Sequence, residues 1–155
     1  MAGILGTSTL SQVGFIVRDI EKSKQVFAEF LGVEAPPTVD GGTYEIARTT
    51  FMGQPAPMAN CWMAFFNIAP GLQLELIQPN GQPSAWQMYL DEYGEGIHHL
   101  AFPVSDTEQK VISAEAFGLK CIQRGKYGDG SGEYAYFDAR DQLKCFIETL
   151  ESYPR

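Results

Sequence analysis

The sequence predicts an α+β protein in which two tandem βαβββ modules form one cupped, mixed sheet. The main observation is an internal repeat, because residues 12–21 recur 87 positions later as residues 99–108. A helical pattern follows each copy and stops at Gly32 or Gly118, and each copy closes with a similar strand. The matching positions of the repeat are Phe15 and Phe102, Val17 and Val104, Asp19 and Asp106, and Glu21 and Glu108.

The elements of the first module follow from hydrophobic periodicity. Residues 12–17 are mostly β-branched or aromatic and predict a strand. Asp19 fits the N-cap of a helix over residues 22–31, whose apolar side chains have helical spacing, and Gly32 ends that helix. Gly and Pro residues then separate three strand-like runs. These runs are residues 43–50, 60–67 and 72–77.

The second module repeats this order after a connecting segment. Residues 84–93 carry apolar side chains at positions i, i+3, i+4 and i+7, which predicts a linker helix. We predict module one over about residues 10–78, module two over about residues 97–150, and a single domain over residues 1–155. The predicted elements of module two are a strand at 99–104, a helix at 106–117 and strands at 120–123, 133–137 and 144–150.

Composition limits the classes of partner. The 155 residues include 11 Lys and Arg against 19 Asp and Glu, which gives a net charge of −8. Nucleic-acid backbones and anionic membranes need clustered cations, and no Lys/Arg run is present. Cys61, Cys121 and Cys145 are far apart in apolar stretches, which predicts buried thiols rather than disulfides. The N-terminal residues do not resemble a signal peptide, so we expect a cytoplasmic protein.

The repeat predicts where polar side chains meet. If a pseudo-twofold axis relates the modules, the first strands lie side by side, and equivalent positions converge on one point. The polar pairs at such positions are Gln12 with His99 and Glu75 with Glu148, and both glutamates alternate with apolar residues along a strand. Two carboxylates, an imidazole and an amide oxygen suit a divalent ion with open coordination positions. Alternatively, the two glutamates lie on a solvated face of the sheet.

Several motifs resemble those of one superfamily. They are the run that starts Gln12-Val-Gly-Phe-Ile-Val-Arg-Asp, the Leu-Glu75-Leu and Phe-Ile-Glu148 strands, and Gly94-Glu-Gly-Ile-His-His-Leu-Ala-Phe. Over about residues 10–150 the chain resembles the vicinal oxygen chelate (glyoxalase/bleomycin resistance/dioxygenase) superfamily, most closely its methylmalonyl-CoA epimerase-like branch. The resemblance implies the glyoxalase/bleomycin resistance fold, a homodimer, and metal ligands at Gln12, Glu75, His99 and Glu148. His98 then has a supporting or structural role.

The resemblance also implies a reaction. We expect a metal-dependent isomerase, epimerase or lyase that acts on a small carbonyl or thioester substrate through an enediolate-type intermediate. Epimerases of this type have a further carboxylate on the floor of module one, but residues 61–67 contain none. Glu75 or Glu148 would then be the catalytic base. The alternative is a metal-free protein that sequesters a small molecule, as resistance members of the superfamily do. A ring-cleaving dioxygenase is disfavoured, because Gln12 replaces one histidine of its iron triad.

Two residue sets bear on the cofactor and the substrate. Histidine is usual in the family at the position of Gln12, and an amide oxygen shifts the preference from Zn²⁺ toward Mn²⁺, Mg²⁺, Co²⁺ or Ni²⁺. The Gly-rich run at 124–133 is either a hairpin loop or an anion-binding lid. Few cations could hold the phosphates of a CoA substrate. The candidates in module two are Lys120, Arg124, Lys126 and Arg140.

Overall fold

The computed structural model describes residues 3–155 and contains one ten-stranded mixed sheet with short helices, which confirms the predicted α+β class. In the first half, the elements are β1 (Gln12–Ile16), α1 (Ile20–Leu31), β2 (Val39–Asp40), α2 (Tyr44–Ala47), β3 (Thr50–Phe51), β4 (Gln54–Pro55), β5 (Cys61–Ala69) and β6 (Leu72–Pro79). The predicted linker helix is α3 (Ala85–Tyr93). The second half contains β7 (Gly96–Pro103), α4 (Thr107–Phe117), β8 (Lys120–Lys126), β9 (Gly132–Ala139), α5 (Arg140–Leu143) and β10 (Cys145–Ser152).

The first strands of the two modules meet at the centre of the sheet. The strand order is β2-β5-β6-β1-β7-β10-β9-β8-β3-β4, with β1 antiparallel to β7. β6 runs parallel to β1, and β10 runs parallel to β7, so the two halves have matching arrangements. Gln12 lies opposite Ala101 and Gly14 lies opposite His99. The four central strands are therefore the ones that carry the polar positions singled out by the repeat.

Helix caps behave as the sequence predicts. Asp19 accepts a hydrogen bond from the Lys22 backbone N–H, and Asp106 accepts one from the Gln109 backbone N–H. Gly32 and Gly118 end α1 and α4 in the left-handed conformation. These helices cover separate apolar clusters of the two modules, whereas α3 packs on β1, β6 and β7. None of the described helices has the length and apolar character needed to cross a bilayer.

The segment at 43–50 differs from its prediction as a strand of module one. Residues Tyr44–Ala47 form a helical turn, and Thr50 and Phe51 pair with β8 of the other module. The chain turns at Gly41 and Gly42 and crosses to the far edge of the sheet, where it supplies partners for otherwise open strand groups. This crossing depends on the curvature of the sheet, which brings its distant edges together, and local patterning does not report that curvature.

The three cysteines are free thiols. Cys61 is buried, as predicted, whereas Cys121 and Cys145 are only partly buried.

Candidate metal centre

The structure brings Gln12, Glu75, His99 and Glu148 together at the base of the cup. They lie on the central strands β1, β6, β7 and β10, one on each. The His99 Nε2 atom lies 3.0 Å from Gln12 Oε1, 3.4 Å from Glu75 Oε1 and 2.9 Å from Glu148 Oε2. All four side chains are buried, with at most 5% of each residue exposed. The pseudo-twofold arrangement of the modules therefore converges these side chains as the repeat predicts.

A chain of hydrogen bonds sets the protonation of the His99 ring. His98 Nε2 lies 3.1 Å from the Ala85 carbonyl oxygen, which can only accept, so this nitrogen donates. In the neutral ring, His98 Nδ1 is then an acceptor, and His99 Nδ1, 2.9 Å away, donates to it. The network thus assigns the only proton of the neutral His99 ring to Nδ1. His99 Nε2 consequently points an unprotonated lone pair toward three side-chain oxygens.

One oxygen of each buried carboxyl group lacks a hydrogen-bond donor. Glu75 Oε1 and Glu148 Oε2 have no hydrogen-bond donor, although each is fully enclosed. Burial raises the pKa of Glu148 to about 8, and the neighbouring Tyr136 hydroxyl opposes this shift. Burial, and then the charge of Glu148, raises the pKa of Glu75 well above its usual range. Burial lowers the pKa of His99 to about 3, so the ring is neutral at ordinary pH.

These observations fit a divalent cation. Ligand atoms of Glu75, His99 and Glu148 all lie within 4.8 Å of one another. Oxygen atoms of Gln12, Glu75 and Glu148 converge on the lone pair of His99 Nε2, and a cation at their centre would replace the protons that the raised pKa values of the two glutamates retain in the metal-free protein. An imidazole nitrogen with several oxygens is a donor set that Mn²⁺, Co²⁺, Ni²⁺ and Zn²⁺ accept. A hydrogen bond that fixes the second ring nitrogen of a ligating histidine is a usual feature of such centres, and here His98 provides it.

Gly14 permits this arrangement and was not singled out from the sequence. An ideal Cβ atom on Gly14 would lie 2.0 Å from Cε1 of His99, because the imidazole ring packs flat on the β1 backbone. Only a residue without a side chain allows this approach. A glycine inside a strand pattern is the available signal, since it often marks a close approach of another group to the backbone. The neighbouring roles of His98 and of the Ala85 carbonyl had no local signal.

A large cavity opens above the centre. Its volume is about 1050 Å³, and Gln12, Glu75 and Glu148 line its base. On β5, the side chains that face the cavity are Met63, Phe65 and Asn67, so that strand supplies no carboxylate to it. The rest of the wall is mixed and contains several aromatic residues. It includes Trp86, Tyr127, Tyr134 and Tyr136.

Replacement of His98 should weaken metal binding without touching a ligand. His98→Phe removes the acceptor for the His99 Nδ1 proton, and we expect a loss of about 10- to 100-fold in Mn²⁺ affinity. His98→Asn should retain most of the affinity, because its side-chain oxygen can occupy the position of Nδ1. Calorimetric titration of both variants checks this prediction. Equal affinity of His98→Phe and the wild type would contradict the assigned hydrogen-bond chain.

The metal-free protein should lose stability as pH rises from 6.5 to 8.5. The raised pKa of Glu148 stabilises the fold below the unfolded value near 4.5, and this contribution disappears as pH rises through about 8. The lowered pKa of His99 has the opposite effect, but only below about pH 6.5. We expect a decrease of about 1 to 2 kcal/mol in the free energy of unfolding over this interval. Denaturant unfolding with a chelator measures it, and Glu148→Gln should flatten the profile.

Comparison with known proteins identifies the family. The family model for the Glyoxalase/Bleomycin resistance protein/Dioxygenase superfamily matches residues 11–137. The chain therefore belongs to this superfamily, and the predicted vicinal oxygen chelate membership is confirmed. A curated relative, the uncharacterized protein YqjC of Bacillus subtilis (strain 168), is 27% identical over 90 residues. That match covers 57% of this chain and 64% of the relative.

Solved structures share the fold. Methylmalonyl-CoA epimerase from Mycobacterium tuberculosis has a TM-score of 0.67 at 19% identity, over 99% of this chain and 93% of that one. A variant of the Streptomyces coelicolor methylmalonyl-CoA epimerase, in complex with 2-nitronate-propionyl-CoA, has a TM-score of 0.66 at 19% identity, over 94% and 97%. The hypothetical protein BH1468 from Bacillus halodurans C-125 has a TM-score of 0.67 at 20% identity, over 96% and 98%.

Proposed function

We propose that this protein is a metal-dependent enzyme that moves a proton on a carbon next to a carbonyl, as an isomerase or epimerase. The observation that carries the proposal is the convergence of four potential ligand atoms, from Gln12, Glu75, His99 and Glu148, at the base of a cavity. The epimerases with the same fold support this reaction class. A lyase reaction that begins with the same proton removal is the related possibility.

The chain's own residues have separate roles in this proposal. A divalent ion, when bound, supplies Lewis-acid stabilisation of the oxyanion that forms when the carbon loses its proton. His99, held by His98, and Gln12 bind that ion and carry no net charge. Glu75 and Glu148 line the cavity, and one of them accepts the proton from carbon and returns it. The aromatic walls exclude water from the reacting atoms.

Hydrogen exchange tests the proposal with a defined probe. We choose 2-hydroxyacetophenone (C₆H₅–CO–CH₂OH). It has a carbonyl and a hydroxyl oxygen on adjacent carbons, an aromatic ring, and exchangeable hydrogens on the methylene carbon next to the carbonyl. Protein loaded with Mn²⁺ or Mg²⁺ in D₂O should accelerate loss of the methylene proton signal, and added chelator should abolish the effect. Glu75→Gln and Glu148→Gln, each assayed at a metal concentration that saturates the variant, identify which carboxylate moves the proton. Absence of both metal binding and exchange would overturn the proposal.

The alternative is a metal-free protein that sequesters a small molecule. The observation that favours it is the cavity of about 1050 Å³, whose walls are mainly apolar and aromatic. Resistance proteins are part of the superfamily's description. Metal content after purification separates the two functions, because a stoichiometric divalent ion supports the enzyme. Tight binding of aromatic molecules by chelator-treated protein supports sequestration.

We also propose that the protein forms a homodimer. Phe30 on α1 has 76% of its surface exposed, and Val26 lies on the same helix with 59% exposed. Ile112 and Phe117 are similarly exposed on α4. Apolar groups of this kind on outer helices are typical of surfaces that a second copy covers. We expect a dimer in sedimentation velocity at micromolar concentration, and a pure monomer would contradict the proposal.

A further inference from the structure

The cavity is lined by acidic residues and by no basic one. Among its described lining residues, the ionisable side chains with acidic character are Asp40, Glu75, Asp129 and Glu148, and no Lys or Arg is present. Binding of a phosphorylated molecule such as a CoA thioester requires cations or free backbone N–H groups near the phosphates. The cup itself therefore offers no charge complement to such a molecule.

The Lys and Arg residues named above as candidates for phosphate binding lie outside the cup, and both arginines form ion pairs. The Arg124 guanidinium lies 2.7 Å from Glu108 Oε1 and 3.2 Å from Glu133 Oε1. Arg140 lies 2.9 Å from Glu92 and 2.8 Å from Asp138.

Lys126 lies over the ring of Tyr153, with Nζ 5.8 Å from its centroid. None of these cations lines the cup, and neither does Lys120. The few candidate cations that the sequence offers for phosphates therefore do not line the cup.

Two exposed carboxylates stand at the rim, beside one close contact between the modules. An ideal Cβ atom on Gly42 would lie 2.6 Å from the Gly128 Cα atom, so the two backbones touch. Asp40 precedes Gly42 and Asp129 follows Gly128, and both aspartates line the cavity. Hydrogen bonds from Ser131 lower the pKa of Asp129, which keeps it ionised. The Gly-rich run is thus a hairpin turn that presents a carboxylate rather than an anion-binding lid.

A divalent ion bound at the metal centre would not make the net charge of the cavity positive. Glu75 and Glu148 carry two negative charges when ionised, which balance the charge of a divalent ion. Their unpartnered oxygens, buried to more than nine-tenths, point into the cup and mark its inner end as the ligand-binding end. The rim carboxylates then set the charge of the outer end, and aromatic rings lie between the two ends.

We infer that the cup takes substrates with a pair of oxygens at one end, an apolar body, and a cationic group at the other end, and that it disfavours CoA thioesters. Only the pair of oxygens at the inner end depends on the proposed function, because that part of the inference requires the metal centre. Cations approach Asp40 and Asp129 at the rim, and the faces of Trp86, Tyr127 and Tyr134 offer further favourable contact with a cation. An anionic outer end would meet the carboxylates of Asp40 and Asp129, whereas Lys126 lines the adjoining pocket and not the cup.

Three catechols test the charge preference, because they share adjacent oxygens and a ring. Dopamine has a cationic tail, 4-methylcatechol a neutral one and 3,4-dihydroxyphenylacetate an anionic one. We expect calorimetry on Mn²⁺-loaded protein under argon to show affinity falling in that order, by about tenfold or more from first to last. The ratio of the affinities for dopamine and 3,4-dihydroxyphenylacetate should decrease as salt is raised from about 50 to 500 mM, because salt screens the exposed charges at the rim. Acetyl-CoA should fail to compete with dopamine.

Variants assign the preference to the rim. The double substitution Asp40→Asn and Asp129→Asn should reduce the ratio between dopamine and 3,4-dihydroxyphenylacetate to about twofold and leave 4-methylcatechol unchanged. Asp141→Asn, on α5 outside the cup, is the matched control and should preserve the ratio. Equal binding of the cationic and anionic catechols by the wild type, or tight binding of acetyl-CoA, would overturn the inference.

The charge preference can be tested whether or not the protein binds a metal ion. A prior Mn²⁺ titration tests the proposed function by itself. If no metal binds, the same three probes are titrated against the metal-free protein by tryptophan fluorescence, and the cationic one should still bind most tightly. Metal binding without a charge preference overturns only the inference. A charge preference without metal binding overturns only the proposed enzyme.

Discussion

Glu148→Gln is expected to lower the affinity for Mn²⁺ by about a thousandfold, since loss of one charge from a buried, compensated set costs several kcal/mol. Gln12→Ala should lower it only about tenfold, because water can replace a neutral amide ligand. Gln12→His should tighten binding and shift the preference toward Zn²⁺ or Ni²⁺, since imidazole is the softer and stronger donor. Calorimetric titration of the metal-free proteins with Mn²⁺, Co²⁺ and Zn²⁺ measures these differences.

Two controls accompany this comparison. Glu34→Gln changes an exposed glutamate and should bind metal as the wild type does. At pH 8.5, metal-free Glu148→Gln should be at least as stable as the wild type, because a neutral amide replaces a carboxylate whose charge is disfavoured by burial. A stable variant with weak binding therefore cannot be explained by unfolding. If Glu148→Gln and the wild type bind equally, or neither binds, the metal-enzyme proposal fails and the sequestration function takes its place.

Gly14→Ala should lower metal affinity by a comparably large factor, although residue 14 is not a ligand and the substitution removes no ligand. The new Cβ atom would lie 2.0 Å from the His99 ring, which is completely buried and cannot move toward solvent. We expect a loss of metal affinity of about a hundredfold and a destabilisation of about 1 to 3 kcal/mol, as overpacked cores show. Metal titration and denaturant unfolding measure the two quantities.

A double-mutant cycle distinguishes a clash with the His99 ring from an effect of Gly14→Ala on the strand itself. In a His99→Ala background the ring is absent, so Gly14→Ala should cost little additional stability. Gly3→Ala is the matched control, because a Cβ atom there meets no neighbour within 4 Å. An equal stability cost of Gly14→Ala in both backgrounds would show that the substitution acts on the strand and not through the imidazole.

The order of the modules and the four candidate ligands could be predicted from the sequence. An internal repeat implies two similar units, and if their first strands lie side by side at a pseudo-twofold axis, polar residues at equivalent positions of the central strands come together. Gln12, Glu75, His99 and Glu148 could be selected on this basis from the sequence. Helix caps were equally accessible, because an N-cap such as Asp19 and a stop such as Gly32 depend only on neighbouring residues.

Tertiary structure alone decided the features that depend on contacts across the chain. The proton on His99 is placed by His98 and by the Ala85 carbonyl of the linker helix, which no spacing rule connects. The need for Gly14 follows from a ring that packs on it from another strand.

The segment at 43–50 crosses to the second module, where Thr50 and Phe51 pair with β8. Asp40, which precedes this segment, and Asp129 of the second module both line the cavity. Local propensity encodes elements and caps, whereas the charge of a cavity depends on which distant side chains line it. The proposed charge preference therefore depends on the folded chain, because Asp40 and Asp129 are far apart in the sequence and line one cavity only after folding.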